Sequence, residues 1–125
     1  MNGKRLLLDT NAIVALLKGN DELLKLMRGL DWIGISIISQ IEFLCFQGLT
    51  EPDRKLFEDF IGRIEVVGLQ LSEKQLTERA IEIRRLFKVK LPDAIIAATA
   101  LTRNASLVTA DQRMSSIANL PIVSF

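Results

Sequence analysis

The sequence predicts an α/β protein, a sandwich in which helices pack on a mostly parallel sheet. Short apolar runs of strand length alternate along the chain with longer runs whose apolar residues recur at helical spacing. This alternation is typical of proteins with a parallel sheet. The chain also has no linker, internal repeat or low-complexity stretch, so we expect residues 1–125 to form a single domain.

Five apolar runs are the predicted strands. The first, KRLLLDT, is a short buried strand that ends at Asp9. The others, in chain order, are IGISII, IEVVGL, SLVTA and the short terminal PIVSF. If these strands are parallel, the residues that follow them lie along one edge of the sheet.

Six helices are expected, over residues 11–18, 21–28, 39–47, 51–61, 72–87 and 91–101. Gly19, Gly29 and Gly48 mark the ends of the first three, and Pro52 lies in the first turn of the fourth. The fifth is amphipathic, and the sixth is the most apolar.

Composition narrows the possible chemistry. The chain of 125 residues is 49% hydrophobic and 25% charged, which is typical of a globular protein. A net charge of +1 excludes a strongly basic nucleic-acid-binding tail but permits a local basic patch. The absence of histidine excludes imidazole bases and histidine-ligated zinc.

The single cysteine, Cys45, cannot form an internal disulfide, and its FLCF context predicts a buried thiol in a reducing compartment. Met27, Phe43, Phe46 and Phe57 are likewise expected in the core. We predict neither a signal peptide nor a membrane span, because polar residues interrupt both candidate apolar segments. The protein is therefore expected to be soluble and cytoplasmic, with no membrane partner.

Four acidic residues stand where a parallel sheet would place a ligand. Asp9 ends the first strand, and Asp111 follows the fourth. Glu42 is expected in the first turn of the helix after the second strand, and Asp93 in the first turn of the apolar LPDAIIAAT helix. Carboxyl ends of parallel strands and helix N-termini meet at the same edge of a sheet.

Each acid also has a purely structural explanation. Asp9 and Asp111 could cap helices, Ser39 and Glu42 match a capping box, and Asp93 could interact with a helix dipole. As a set, however, clustered carboxylates in apolar surroundings repel one another unless a cation joins them. Oxygen ligands without histidine or cysteine suit Mg²⁺ or Mn²⁺, and such sites hydrolyse phosphodiesters.

Four blocks in this order, LLLDTNAIVALL, SIISQIEFL, KLPDAIIAATAL and LVTADQRM, resemble the signature blocks of PIN-domain ribonucleases, and VapC-type toxins most of all. The resemblance spans Leu6 to Phe125. It implies a three-layer α/β/α sandwich and endonucleolytic cleavage of RNA with Mg²⁺ or Mn²⁺. It also implies a homodimer and inhibition by a small antitoxin protein of a type II toxin–antitoxin pair.

The resemblance assigns roles position by position. It implies that Asp9, Glu42, Asp93 and Asp111 are the metal-binding and catalytic acids. Asn11 and Thr109 match polar positions that orient those acids. The chain departs from many relatives at Ala110, where they carry a polar or charged residue.

Basic residues near the acids are candidates for substrate binding. Lys88, Lys90 and Arg113 flank predicted acidic sites and could contact RNA phosphates. We interpret Arg84 and Arg85 instead as a solvated helix face, with Glu78 and Glu82 spaced to pair with Arg85 and its neighbours. The exposed sides of the second and third helices could form a groove for a partner helix.

Other classes fit less well. A receiver domain needs an acid after its third strand, and IEVVGLQLS has none there. A haloacid-dehalogenase-type phosphatase needs a second acid two residues after the first, and here that residue is Asn11. Glycine-rich nucleotide loops are absent. The alternative that remains is a catalytically inactive PIN-like module that binds RNA or protein.

Overall fold

Five short strands form one sheet in the computed structural model, which describes residues 4–125. The strands are β1 (Arg5–Leu8), β2 (Trp32–Ser36), β3 (Glu65–Val67), β4 (Ser106–Val108) and β5 (Ile122–Val123). Their order is β3-β2-β1-β4-β5, and all four pairings are parallel. The predicted fold class is therefore confirmed.

The helices run over residue ranges close to the expected ones. They are α1 (Thr10–Leu17), α2 (Asp21–Leu26), α3 (Ile37–Leu44), α4 (Glu51–Ile61), α5 (Lys74–Leu86) and α6 (Leu91–Thr102). A 3-10 helix over Gln112–Ser116 was not expected from the sequence. Within the described part of the chain, no helix is long and apolar enough to cross a membrane.

The side chains of β1 alternate between two apolar layers, which makes the sandwich three layers thick. Leu7 belongs to a core cluster with α5 and α6, whereas Leu6 and Leu8 belong to a second cluster with α1, α2 and α4. Each layer buries apolar side chains that a strand of period two presents to opposite faces of the sheet. The helix α3 contributes to both, through Ile38 and Phe43.

The strand order reverses at β1, and this point positions the candidate site. The chain runs outward from β1 to β2 and β3, and then returns to place β4 on the other side of β1. Leu8 pairs with Val108, so the ends of β1 and β4 are level. Open α/β sheets bind ligands in the crevice at such a reversal, beyond the carboxyl ends of the strands.

The boundary between β2 and α3 corrects one prediction. IGISII was expected to be all strand, with a helix from Ser39, but β2 ends at Ser36 and α3 begins at Ile37. The Ser36 hydroxyl accepts a hydrogen bond from the Ile38 N–H at 3.1 Å and caps the helix. The capping box from Ser39 to Glu42 is therefore wrong, and Glu42 lies in the second turn rather than the first.

The segment after α3 corrects a second prediction. Phe43 and Phe57 are buried and stack with ring centroids 4.3 Å apart, as expected of core residues. Cys45 and Phe46 are exposed, however, and Phe46 keeps 69% of its surface accessible. The reason is that α3 ends at Leu44 and the chain turns away through Gly48, which has a φ of +90°.

A polar network ties the amino ends of three strands together, away from the strand ends that carry the acids. Trp32 Nε1 donates to Glu65 Oε1 at 3.0 Å, and Arg103 Nη1 donates to Glu73 Oε1 at 3.1 Å. Arg103 Nε also reaches Glu65, and Arg5 Nε donates to the Arg103 carbonyl at 2.8 Å. The Arg103 guanidinium is thus paired with acids of the fold itself, at the opposite end of the strands from the candidate site.

Alanine substitution should affect the stability of the protein differently at Ser36 and at Ser39. Ser36→Ala removes the cap of α3 and should lower the free energy of unfolding by about 0.5–2 kcal/mol. The buried Ser39 hydroxyl has no partner among residues 4–125, so Ser39→Ala should leave stability unchanged or raise it. Urea unfolding of both variants checks this, and an equal loss of stability in the two would contradict it.

Candidate active site

Asp9 connects the end of β1 to the start of α1. Its Oδ1 accepts from the Thr10 N–H at 2.8 Å, which caps α1, and its Oδ2 accepts from the Thr109 hydroxyl at 2.7 Å. Its own N–H donates to the Val108 carbonyl at 3.0 Å. Only 6% of the residue is exposed. Burial raises the pKa of Asp9, and the two hydrogen bonds offset only part of that rise.

The hydroxyl of Thr109 organises the end of β4. Besides donating to Asp9, it accepts from the Asp111 N–H at 3.0 Å and from Asn11 Nδ2 at 3.4 Å. Asn11 Oδ1 in turn accepts from the Ala110 N–H at 3.1 Å. The loop after β4 is thereby fastened to the first turn of α1. Within residues 4–125, the Asn11 side chain forms no hydrogen bond to an acid but holds the backbone between Thr109 and Asp111.

Glu42 extends from the second turn of α3 toward α1. The Thr10 hydroxyl donates to Glu42 Oε1 at 2.6 Å, the one side-chain hydrogen bond of this carboxylate among the described residues. Sequence reasoning missed Thr10. Thr10 follows Asp9 directly and begins α1, and this position in the sequence could have marked it as part of the site.

Asp93 lies in the first turn of α6, where it was expected. It is half-buried, and no hydrogen bond among residues 4–125 involves its carboxylate. Burial raises the pKa of Asp93, and the charges of Asp111 and Glu42 raise it further, while Arg113 and Lys90 act in the opposite direction. The carboxylate is thus held among other negative charges without a bonded donor.

Asp111 is paired with Arg113. Arg113 Nε donates to Asp111 Oδ1 at 3.0 Å, and Nη2 donates to Oδ2 at 2.8 Å. The Arg113 N–H also donates to Oδ1 at 3.0 Å, so Asp111 caps the 3-10 helix. These bonds hold the pKa of Asp111 below its ordinary value. The Arg113 side chain is 71% exposed, so the pair lies open to solvent.

The four acids share one edge of the sheet, but they do not converge on one point. Besides burial, the charges of Asp93 and Glu42 raise the pKa of Asp9, as expected of carboxylates at one edge of the sheet. Even so, within residues 4–125 no group of three or more acidic or cysteine side chains is arranged to hold a metal ion. Glu42 is held by Thr10, and Asp111 by Arg113. The donor set, carboxylate oxygens alone, fits a hard divalent cation.

An apolar cleft of about 230 Å³ adjoins these acids between α1, α3 and α4. Thr10 and Glu42 belong both to its wall and to the acidic edge. Its apolar lining comprises Val14, Leu17, Phe43, Phe46, Leu49 and Leu56. This cleft lies on the first, third and fourth helices, and so shares only the third with the partner groove suggested by the sequence. We call the cleft lined by these apolar residues, Thr10 and Glu42 the apolar cleft.

A second cleft, of about 290 Å³, lies at the junction of α5 and α6. It is lined by Arg84, Arg85, Phe87, Lys88, Val89 and Lys90, and we call it the basic cleft. The ion pairs expected between Glu78, Glu82 and the arginines are absent, because in residues 4–125 salt bridges form only at Arg103 and Arg113. Arg84 and Arg85 are exposed on α5, as expected of a solvated helix face, but that face lacks the expected ion pairs.

The repulsion at Asp93 should be measurable as a loss of stability. A carboxylate whose folded pKa is raised lowers the free energy of unfolding as pH rises from its ordinary value of 3.8 through the folded value. Asp93→Asn should therefore unfold at a higher temperature than the parent at pH 7 in EDTA, and the difference should vanish once pH falls below 3.8.

Thermal unfolding of parent and variant between pH 3.5 and 7 tests this expectation. Asp31→Asn, at an exposed position, is the control and should change the unfolding temperature little at any pH. An Asp93→Asn protein that is less stable than the parent at pH 7 would show that the carboxylate makes a favourable contact in the fold.

The comparisons with known proteins agree with the observed fold. The family model of the PIN domain matches residues 6–120. A chain of the crystal structure of VapBC2 from Rickettsia felis, bound to a promoter DNA fragment, has a TM-score of 0.80 at 24% identity and covers 97% of this chain and 98% of that chain.

Two further structures give similar values. A toxin–antitoxin complex from Klebsiella pneumoniae has a TM-score of 0.75 at 25% identity, covering 94% of this chain and 95% of that one. DNA-bound VapBC from Salmonella typhimurium has a TM-score of 0.70 at 23% identity, covering 97% and 98%. A comparison with curated protein sequences finds no match. With the family model matching nearly all of its length, the chain belongs to the PIN-domain family.

Proposed function

We propose that this protein is a metal-dependent endoribonuclease and the toxin of a type II toxin–antitoxin pair. One observation carries the proposal: Asp9 and Asp93 are neighbouring carboxylates whose burial raises both pKa values, and no cationic side chain in residues 4–125 forms an ion pair with either. Uncompensated negative charge in a crevice costs stability and is typical of a site that receives a cation. Membership of the PIN-domain family supports the same function.

Asp9, Glu42, Asp93 and Asp111 would hold Mg²⁺ or Mn²⁺ in this proposal. When bound, the ion supplies positive charge that stabilises the charge developing on the phosphate oxygens of the scissile bond. Asp9 is the fixed member of the set, because Thr10 and Thr109 each hold one of its oxygens. Thr109 and Asn11 have the positioning role, since they fix the loop that carries Asp111.

Arg113 would exchange partners during binding. Its guanidinium donates to both oxygens of Asp111, so opening of that pair would free Asp111 to turn toward a cation. The exposed arginine then becomes available to a phosphate of the substrate, which it can contact through two N–H groups. This sequence of contacts gives Arg113 a substrate-binding role beside the acids.

The second candidate function is an inactive PIN-like module that binds RNA or protein. The observation that favours it is the absence, within the described ranges, of three converging acids. The two functions differ in two respects, because a module of this kind would bind its partner without a divalent cation and would cleave nothing.

Cleavage of a mixed RNA pool distinguishes the two. With Mg²⁺ or Mn²⁺ the parent should cut RNA endonucleolytically, EDTA should stop the reaction, and Asp93→Asn should reduce it below detection. Thr109→Val should lower activity by roughly 10–100-fold, because the residue acts through Asp9. Asp31→Asn is the matched control and should retain parental activity.

A second readout does not depend on turnover. Mg²⁺ or Mn²⁺ should raise the unfolding temperature of the parent and have little effect on Asp93→Asn. A folded parent that binds the metal and cleaves nothing would support the inactive module. Full cleavage by Asp93→Asn would assign the reaction to another site or to a contaminant.

The partner in this proposal is a small antitoxin protein whose apolar segment fills the apolar cleft. Phe46 and Leu56 keep 69% and 49% of their surfaces exposed there, and Thr10 and Glu42 connect the cleft to the acids. An amphipathic helix would bury this surface with its apolar face. The similar structures from Rickettsia felis and Klebsiella pneumoniae are of a VapBC and a toxin–antitoxin complex, which supports such a partner.

Serine substitutions test the position of the antitoxin. Phe46→Ser with Leu56→Ser should weaken binding of the protein encoded by an adjacent small gene by at least about tenfold, because each loses a buried apolar contact. Leu69→Ser, at a leucine that is 48% exposed elsewhere, is the control. Calorimetric titration of both variants measures the affinities, and equal affinity in the two would place the partner on another surface.

The homodimer and the cytoplasmic location that the family resemblance implies remain predictions. A homodimer would need apolar surface, and Leu71, Ile81, Leu86 and Leu91 provide exposed side chains near α5. Location in the cytoplasm would give the enzyme access to cellular RNA. The single thiol, exposed at Cys45, would then remain reduced.

A further inference from the structure

We propose that the basic cleft binds phosphates of the RNA strand beyond the bond that is cut, and so guides single-stranded RNA to Asp93. This inference rests on the proposed function, because it names the surface by which that function would hold its substrate. The cleft contains four cations, Arg84, Arg85, Lys88 and Lys90, and no acidic residue. In a chain of net charge +1, such a concentration is a local feature and not a property of the whole surface.

The cations of the basic cleft are unpaired within residues 4–125. All salt bridges there involve Arg103 or Arg113, and Glu78 and Glu82 on the same helix form none. All four basic residues are exposed. Charges that satisfy one another inside a fold cannot bind a polyanion strongly, whereas unpaired exposed charges can release counterions from a nucleic-acid backbone.

The helix dipole explains only part of this arrangement. Arg84 and Arg85 lie in the last turn of α5, where cations interact favourably with the helix carboxyl end. Lys88 and Lys90 lie beyond that helix and line the same cleft. The dipole therefore accounts for two of the four residues, and a common anionic ligand accounts for all of them.

The cleft also leads to the acidic edge. Lys90 is the N-cap of α6 and Asp93 lies in its first turn, so the two are separated by about 4.5 Å along the helix axis. Burial raises the pKa of Asp93, and the charges of Arg113 and Lys90 oppose that rise. Positive charge thus flanks Asp93, with the basic cleft on one side and Arg113 near Asp111. An RNA strand that crosses Asp93 would meet a cation before and after it.

Phe87 is the aromatic wall of the basic cleft. It is half-buried and packs against the core cluster of α5 and α6, so it offers an edge of limited area. A surface with several cations and little aromatic area binds the backbone more than the bases. We therefore expect affinity with weak sequence preference and strong dependence on salt.

The test is binding of a fluorescein-labelled single-stranded RNA of 20 nucleotides and mixed sequence, followed by fluorescence anisotropy in EDTA. The triple variant Arg84→Gln, Arg85→Gln, Lys88→Gln removes three cations and leaves Lys90 beside Asp93 untouched. Each lost phosphate contact should reduce the slope of log Kd against log salt by about 0.7, so the triple variant should lose about 2. Its affinity at 50 mM KCl should fall by at least about tenfold.

The matched control is Lys25→Gln, Arg28→Gln, Arg54→Gln, which removes the same charge at exposed positions on the α1, α2 and α4 side of the sheet. It should keep most of the parental salt slope. Equal losses in the two triple variants would overturn the proposal, because net charge alone would then explain the binding.

The two proposals fail in different ways. If the parent cleaves RNA with metal and the basic-cleft variant binds and cleaves like the parent, the cleft has no part in RNA binding while the nuclease stands. If the parent neither binds nor cleaves, the proposed function itself fails. If the variant loses binding of a polyglutamate peptide but not of RNA, the cleft belongs to an acidic protein segment and the RNA assignment is overturned.

Discussion

The pairing of β1 with β4 is the constraint on which the rest of the site depends. Because the strand order reverses there, the chain leaves both strands at the same level, and the Asp9 N–H bonds to the Val108 carbonyl. The Thr109 hydroxyl then lies within 2.7 Å of Asp9 Oδ2. A hydrogen bond to a charged group contributes about 1.5–3 kcal/mol. Without the parallel register, Asp9 would be a buried carboxylate with one donor fewer.

The pKa values of Asp9, Asp93 and Asp111 shift in different directions because different forces dominate at each. At Asp9, burial outweighs two good hydrogen bonds, and at Asp93 burial and the charge of Asp111 act with no bonded donor to oppose them. At Asp111, the bidentate contact with Arg113 outweighs burial. At this edge the fold therefore disfavours the charged forms of Asp9 and Asp93, whereas it stabilises the charged form of Asp111 through Arg113. A site of this kind costs stability, as functional sites commonly do.

Much of the architecture could be predicted from the sequence because periodicity and position decide it. The leucines of β1, the stripe of α5 and the alanine-rich α6 are read correctly from their apolar spacing. The start of α3 was missed because Ile37 and Ile38 fit a strand as well as a helix, and only the Ser36 hydroxyl decides between them. Phe46 was misplaced because apolar character cannot show that a helix ends two residues earlier.

The partners of polar side chains were harder to predict than their positions. Asp9, Asp93 and Asp111 lie at the strand end or helix start expected for them, but neither the Thr10–Glu42 contact nor the Arg113–Asp111 pair has a signal in residue type alone. The missing ion pairs of Arg84 and Arg85 are a similar case, because spacing along α5 permits them and only the side-chain geometry excludes them. Whether two charged side chains on a helix form an ion pair depends on the rotamers they adopt, and such a pair contributes only a fraction of a kcal/mol to stability.

Two clefts of different chemistry, one apolar and one basic, lead to the acidic edge. The apolar cleft belongs to α1, α3 and α4, whereas the basic cleft belongs to α5 and α6, on the other face of the sheet. Glu42 lines the first, and Asp93 lies one helical turn from the second. A protein bound in the apolar cleft could therefore reach Glu42 without covering the cations of the basic cleft, which we propose as the RNA-binding surface. Under the proposed function, such an inhibitor would act on the acids themselves, and RNA could remain bound at the basic cleft while cleavage is prevented.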